Sequence, residues 1–355
     1  AQKEPVFVVW LRIIYFYNRD HFSTIRTMRV GLIYDLFEDY PWIQGEAFDA
    51  DVENEPEETV LALESAIRAL NHEPLRVGPA RNLLSRMDNP DFDVAINIAE
   101  GGRGRNREGE APTLLEMMGV PFIGSDALTL SLSLDKVWTK DLAVSAGLFT
   151  PNYAVFCENE EVDCLRLPRR FPLFVKPRYE GSAKGLTIAS KVQSIQELRN
   201  QVSDITSNYG QDVLVEEFVE GSEYTVAVIG HNPARTLPVI QRAIETDTGI
   251  GLHVLDRKGL PEQDYSFSLP GVLTSELEAR LQASALTIFH KLECKDFARI
   301  DFRVDSKGKE WFLEINPLPT FAPNGTFAIM AELQGVPYSE FLAGVLKEAF
   351  QRVVA

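Results

Sequence analysis

Two alternating segments near the C-terminus constrain this chain more than anything else in it. They are Ala298-Arg299-Ile300-Asp301-Phe302-Arg303-Val304 and Trp311-Phe312-Leu313-Glu314-Ile315-Asn316, joined through Asp305-Ser306-Lys307-Gly308. Period-two alternation on both sides of a polar, Gly-containing turn predicts a β-hairpin whose successive side chains face opposite sides. Arg299, Asp301 and Arg303 then share one face of the first strand. Glu314 and Asn316 share a face of the second, with Leu313 and Ile315 on the other. If the two polar faces coincide, two carboxylates and an amide converge beside an arginine. Magnesium takes oxygen ligands, keeps several waters, and is bound through one or two carboxylates together with substrate phosphates, so this pattern suits a magnesium site. A hairpin whose charges merely face water would read the same way.

The 355 residues, 45% of them hydrophobic, suffice for a sizeable core and two or three domains. A formal net charge of -17 and a pI near 4.8 argue against a nucleic-acid or anionic-membrane partner, which would call for a basic patch. Cys157, Cys164 and Cys294 form no CxxC pair and leave an odd count, so they read as reduced thiols, and the five histidines show no metal-ligand spacing. The apolar run Val6 to Tyr17 is too short to span a bilayer and lacks a secretory pattern. An interfacial role for that run stays open. Residues 1–27 are therefore read as an extension, Met28 as the start of the fold, and the expected location is cytoplasmic.

From residue 28 to 124, strand-like runs (Val30 to Tyr34, Leu75 to Val77, Val94 to Ile98, Pro121 to Ile123) alternate with helical ones (Glu57 to Asn71, Pro112 to Met118). That alternation predicts a parallel sheet flanked by helices. The acidic stretch Glu46 to Glu58 reads as a solvated loop. A second unit, 125–212, opens with a helix expected over Ala127 to Gly147 and includes strands at Tyr153 to Cys157 and Leu173 to Lys176. A third, 213–355, holds Leu214 to Phe218, Tyr224 to Ile229, a helix over Ser275 to Leu292, the hairpin and a terminal helix.

Several segments suit a nucleotide. Phe174-Val175-Lys176-Pro177 ends a strand with a lysine and runs into Arg178-Tyr179-Glu180-Gly181-Ser182-Ala183-Lys184-Gly185. Such a loop can turn backbone N–H groups toward phosphates, with lysine as a point charge. It lacks the GxxxxGK[ST] spacing of a Walker loop and would also suit a surface hairpin. Ser133 to Lys140 offers lysine on a helix, and Glu216-Glu217-Phe218 with Glu223 offers carboxylates at a strand end.

In this order and spacing the chain resembles the ATP-grasp superfamily, and within it the D-alanine:D-alanine ligase family, from Met28 onward. The resemblance rests on Gly119 to Ser125, Leu134-Asp135-Lys136, Val175-Lys176-Pro177, Glu180-Gly181-Ser182, Glu216-Glu217-Phe218, Glu223 to Val226, Ala298 to Asp301 and Glu314-Ile315-Asn316. It implies an α/β, ATP-grasp fold of three α/β subdomains: a pre-ATP-grasp domain at 28–124, a central subdomain at 125–212 and a C-terminal one at 213–355, with the nucleotide between the last two. The implied ATP-binding residues are Lys136 and Lys176 for the phosphates, Glu216, Glu217 and the backbone around Phe218 for the adenine edge, and Glu223 for the ribose. Asp301, Glu314 and Asn316 would hold two Mg2+ ions, with Mn2+ an alternative. Arg299, Ser182 and Lys258 are the implied catalytic residues, Arg299 stabilising the tetrahedral intermediate and the Gly181-Ser182 loop closing over the γ-phosphate.

The implied activity is ATP-dependent ligation, in which a carboxylate is phosphorylated to an acyl phosphate and joined to the amine of an amino acid. Its partners are small-molecule amino acid and carboxylate substrates, with neither nucleic acid nor membrane, and a homodimer is the family habit. Departures from the family pattern bear on the substrates. Gly259 follows Lys258 where a lid tyrosine is usual, Pro317 to Thr326 differs in the acceptor segment, and no counterpart of the glutamate that takes the first ammonium group is visible near Asp35 to Tyr40. Arg103, Arg105 and Arg107 suit either a carboxylate site or loop scaffolding with Glu100, Glu108 and Glu110. Two other functions fit the same pattern: a specialised-metabolite ligase condensing an amino acid with a non-peptide partner, such as a mycosporine, and a non-catalytic ATP-binding regulatory protein. Arg299 speaks against the latter.

Overall fold

Short runs in the first third pair into a parallel sheet, buried throughout at Val94–Asn97 and only at the last two residues of Glu73–Gly78. Its strands are Arg29–Ile33, Glu73–Gly78, Val94–Asn97 and Phe122–Ile123, ordered second, first, third, fourth. The structure is a computed structural model and describes residues 27–157, 160, 162, 165–255 and 263–354. The expected roles of residues 1–26, of Cys164 and of Lys258 lie outside the described residues. Pro56 precedes the helix Glu57–Ala69, whose first turn carries Glu57 and Glu58, where carboxylates meet the partial positive charge of unpaired N–H groups. Val60, Leu63 and Ile67 of this helix cover Val30, Leu32 and Ile96 of the sheet, and Leu342, Val345, Leu346 and Ala349 of the terminal helix Tyr338–Val353 join the same core.

A second, antiparallel sheet runs in the order Tyr153–Phe156, Val213–Glu217, Leu173–Pro177, Lys191–Val192. It is backed by the amphipathic helix Ile195–Tyr209, which buries Leu198, Val202 and Ile205. Val213–Glu217, expected at the head of the third unit, is an interior strand of the second, flanked on both sides by hydrogen-bonded neighbours. The third sheet contains Ala234–Thr236, Ser222–Gly230, Phe297–Val304 and Glu310–Asn316 in that order, with Ile240–Arg242 also on Ser222–Gly230. Leu281, Ala285, Ile288 and Phe289 of the helix Ser275–Lys291 pack against it.

The single helix expected over 127–147 is two helices, Ala127–Leu134 and Lys136–Ser145. Asp135 breaks it in an extended conformation and caps the second helix, its Oδ1 accepting from the Val137 N–H at 3.1 Å. Aspartate competes well for such N–H groups, and Arg178 locks the arrangement by donating to both Asp135 oxygens at 2.8 Å. Among the described residues no helix is long and apolar enough to cross a membrane.

Candidate active site

The hairpin register settles which faces coincide. Asp301 lies opposite Glu314 and Arg299 opposite Asn316, so the four polar side chains project from one face. A register shift after Asp301 sets Phe302 against Phe312. Leu313 is thereby the extra residue of a bulge and lines the neighbouring pocket. Asp301 is buried; its Oδ1 accepts from the Thr225 hydroxyl at 2.6 Å and its Oδ2 pairs with the Arg299 guanidinium at 3.1 Å. Asp301 in turn holds the Arg299 guanidinium more firmly protonated than usual. Glu314 is partly exposed, with Oε2 4.0 Å from Lys136 Nζ. Asn316 turns its Oδ1 to the Leu318 N–H at 2.8 Å.

Among the described residues no cluster of three or more His, Cys, Asp or Glu side chains has a metal-holding arrangement. Two carboxylates and an amide oxygen are short of a complete protein cage. That is the donor set expected when phosphates and water complete the shell of a magnesium ion, and lysines for those phosphates stand beside it. Lys136, Lys176, Gly181, Ser182, Lys184, Arg299 and Glu314 line one pocket.

Lys176, at the end of its strand, is buried and pairs with Glu216 Oε1 at 2.7 Å, while Lys140 pairs with Glu216 Oε2 at 2.8 Å. Glu216 is thus the shared anion of two lysines, and it also lines the apolar pocket bordered by Phe174 and Phe218. Burial would push this carboxyl up, but Lys140 and Lys176 outweigh it and pull it down to about 2. Burial lowers Lys140 to about 8 despite Glu216. Lys140 was missed in the sequence although it sits one helical turn from Lys136, a spacing that places both on one face.

The neighbouring pocket is largely apolar. Phe174, Leu186, Phe218, Val219, Ile250 and Leu313 line a pocket that Glu217, Glu223 and His253 also reach. The Phe218 N–H goes to the Pro172 carbonyl at 3.1 Å and the Glu217 N–H to Asn152 at 2.9 Å. Neither is therefore the edge donor expected of the segment. Val219 follows them into the pocket, and among the described residues no acceptor takes its N–H. Glu223 is held by Arg303 at 2.9 Å and lies 3.5 Å from His253 Nε2.

The loop after Lys176 is fastened from the first unit. The Gly181 N–H donates to Glu53 Oε1 at 2.6 Å and the Gly185 N–H to Asp49 Oδ2 at 2.8 Å; Lys184 Nζ lies 3.3 Å from Glu53. The stretch expected as a solvated acidic loop therefore buries Asp49, Glu53 and Glu55, because backbone N–H groups meet Asp49 and Glu53, cations meet Glu53, and the Thr59 and Thr320 hydroxyls meet Glu55. Gly185 has φ +74, and a Cβ there would lie 2.5 Å from Pro177 Cγ, so only glycine closes this turn. Ser182, with φ +43, lies in the same loop and lines the pocket.

The three arginines act as scaffolding, with partners other than those expected. Arg107 is buried and pairs with Glu53 at 2.5 Å and Glu180 at 3.5 Å. Arg103 pairs with Glu46. Arg105 lies 3.6 Å from Asp135 and over the Trp138 ring.

Sheets that clasp an apolar slot, lysines beside a carboxylate-bearing hairpin and a Gly-rich loop over the gap define an ATP-grasp enzyme. Residues 142–347 match the family model described as D-ala D-ala ligase C-terminus. The uncharacterised protein y4sG of Sinorhizobium fredii is 31% identical, over 88% of this chain and 90% of its own length. D-alanine–D-alanine ligase B of Chromobacterium violaceum is 31% identical over 79% of this chain and 88% of its own. The crystal structure of D-alanine–D-alanine ligase from Bacillus anthracis complexed with ATP superposes with a TM-score of 0.68 at 21% identity, covering 92% of this chain and 98% of that one. The chain belongs to the D-alanine:D-alanine ligase family and is an ATP-dependent carbon–nitrogen ligase.

Proposed function

We propose that the protein phosphorylates a substrate carboxylate with ATP and joins the resulting acyl phosphate to the amine of an amino acid. The observation that carries this reading is the single pocket in which Lys136, Lys176, the Gly181-Ser182 loop and Arg299 meet Glu314. Adenine lies in the apolar slot by Phe218 and Val219, the ribose by Glu223, and the phosphates between Lys136, Lys176 and the loop. Asp301, Glu314 and Asn316 would hold Mg2+, which would neutralise charge on the phosphates. Arg299, fixed by Asp301, supplies positive charge where the tetrahedral oxyanion develops. The free amine nitrogen bonds to the acyl carbon, the phosphate leaves with the C–O bond electrons, and the nitrogen gives up one proton to the phosphate or solvent and keeps the other as the amide N–H. Positioning and electrostatics carry such a reaction, and the loop excludes water that would hydrolyse the acyl phosphate.

A specialised acceptor is favoured by the segment after Asn316. Its residues differ from the family pattern and are tied to the protein itself: the Thr320 hydroxyl donates to buried Glu55 at 2.7 Å, and Arg242 donates to the Thr326 hydroxyl. Mass spectrometry of products, with ADP release in parallel, tests the reading after incubation with Mg-ATP and D-alanine or a panel of amino acids. A condensed product is expected. Neither ADP nor product with any amine would overturn it.

A further inference from the structure

A cleft of about 470 Å³ lies between the first unit and the second, and two residues of its wall, Glu180 and Lys184, also line the pocket of Lys136 and Lys176. It is larger than that pocket, at about 210 Å³, and than the apolar slot, at about 90 Å³, and it has the size of a small-molecule site. No step of the ligation uses it.

Its carboxylates are already spent. Glu46 takes Arg103, Glu180 takes Arg107 and Lys184, and Asp212 takes Arg178. What stays open is a set of donors. Arg105 makes no hydrogen bond among the described residues, and its nearest carboxylate, Asp135 at 3.6 Å, already accepts two N–H groups of Arg178 at 2.8 Å. The Trp138 and Tyr179 rings lie 5.0 and 5.5 Å from the Arg105 guanidinium. Such stacking holds a guanidinium in place without using its N–H bonds. Among the described residues no acceptor takes the backbone N–H of any residue from 102 to 106. Gly101 and Gly104 in this turn have φ +77 and +89, the backbone form in which successive N–H groups gather around an anion.

Open donors beside spent carboxylates call for a ligand that brings acceptors. The donors outnumber what a two-oxygen carboxylate can fill. A phosphate has more oxygens, carries charge, and meets a guanidinium in two parallel bonds. Tyr40, Tyr179 and Tyr209 border the rest of the cleft, where an organic group would sit.

We propose that this cleft is an effector site for a small phosphate ester, held by Arg105 and the 102–106 turn, and that its occupant steadies the Glu180–Gly185 loop and so raises affinity for the nucleotide. The loop is already tied to the first unit through Glu53 and Asp49. A ligand reaching from Arg105 to Tyr179, next to the loop, adds a third tie.

Calorimetric titration of the full chain with phenyl phosphate and with inorganic phosphate tests the site, with Mg2+ and the non-hydrolysable analogue AMP-PCP saturating so that the nucleotide's own phosphate pocket is filled. At least one of the two is expected to bind, and Arg105→Ala to weaken it roughly ten- to a hundredfold, the range for hydrogen bonds to charged groups. Without phosphate, the variant should bind AMP-PCP as the wild type does. AMP-PCP is then titrated into both proteins at one fixed concentration of the phosphate that binds. Competition in the phosphate pocket is common to the two, so the difference between them reports the cleft. The wild type is expected to bind AMP-PCP about fivefold more tightly, the low end of coupling between sites. Binding of neither phosphate to the nucleotide-loaded protein, equal binding by Arg105→Ala, or equal AMP-PCP affinity of the two proteins with phosphate present would overturn the proposal. If Arg105→Ala does not fold, Arg105→Lys decides, since it keeps the charge and loses the fork; undiminished phosphate binding there would overturn it as well. None of these readouts uses turnover, so the site stands or falls apart from the ligase reading.

Discussion

At the residue scale, Glu216 sets the charge state of the phosphate end. One carboxylate neutralises Lys140 and Lys176 in a dry interior, and removing it would strand both cations. Glu216→Gln is expected to cost about 3–5 kcal/mol of stability, read as a lowered denaturant midpoint at unchanged m-value. Its carboxyl and that of Glu53 are both pulled down to about 2 from an ordinary 4.5. A folded pKa below the unfolded one contributes stability that is complete above about 4.5 and lost as pH falls toward 2. Acid unfolding followed by circular dichroism should show this limb, and Glu216→Gln should flatten it. Arg299→Ala should keep AMP-PCP affinity while lowering kcat by about 10²–10³, the cost of removing one oxyanion donor; unchanged kcat would exclude that role. Asp301, Glu314 and Arg299 were legible in the sequence because strand alternation makes the face of a residue readable from its position. Glu53, Asp49 and Lys140 were not, since their roles depend on partners 128, 136 and 76 residues away, and no local pattern encodes such a pairing.

At the scale of elements, the loop from Glu180 to Gly185 borders the pocket that Lys136 and Arg299 line. It is tied to the first unit by two backbone N–H bonds and by Lys184. Gly185→Ala places a Cβ against Pro177 at a positive φ, a strain of about 1–2 kcal/mol. The expected result is a several-fold rise in KM for ATP with a smaller loss of overall stability. An unchanged KM would mean that the loop takes no part in nucleotide capture. Helix and strand types followed the sequence patterns closely. The break at Asp135 did not, because it depends on Arg178 reaching across from another element.

At the scale of the molecule, the chain's last helix returns to its first sheet. Arg352 donates to both Asp296 oxygens, at 2.7 and 2.5 Å, and to the Phe122 carbonyl at 2.8 Å, while Asp296 also takes the Gly124 N–H at 2.8 Å. This knot joins the first and third sheets, between which the cavity lined by Glu100, Glu108, Arg299 and Asn316 opens. Arg352→Ala leaves a buried carboxylate without its guanidinium and should cost about 3 kcal/mol. The thermal midpoint should fall while kcat is retained below it. The sequence order alone did not show this return, since a terminal amphipathic helix can cover any apolar face, and it placed Val213–Glu217 one sheet too late because strand partners are not local. The most direct test of an acyl phosphate route is oxygen tracing. With the accepted carboxylate substrate labelled with 18O in its carboxyl group, the released phosphate should carry one 18O for each ADP formed; unlabelled phosphate alongside labelled product would contradict carboxylate activation and the account built on it.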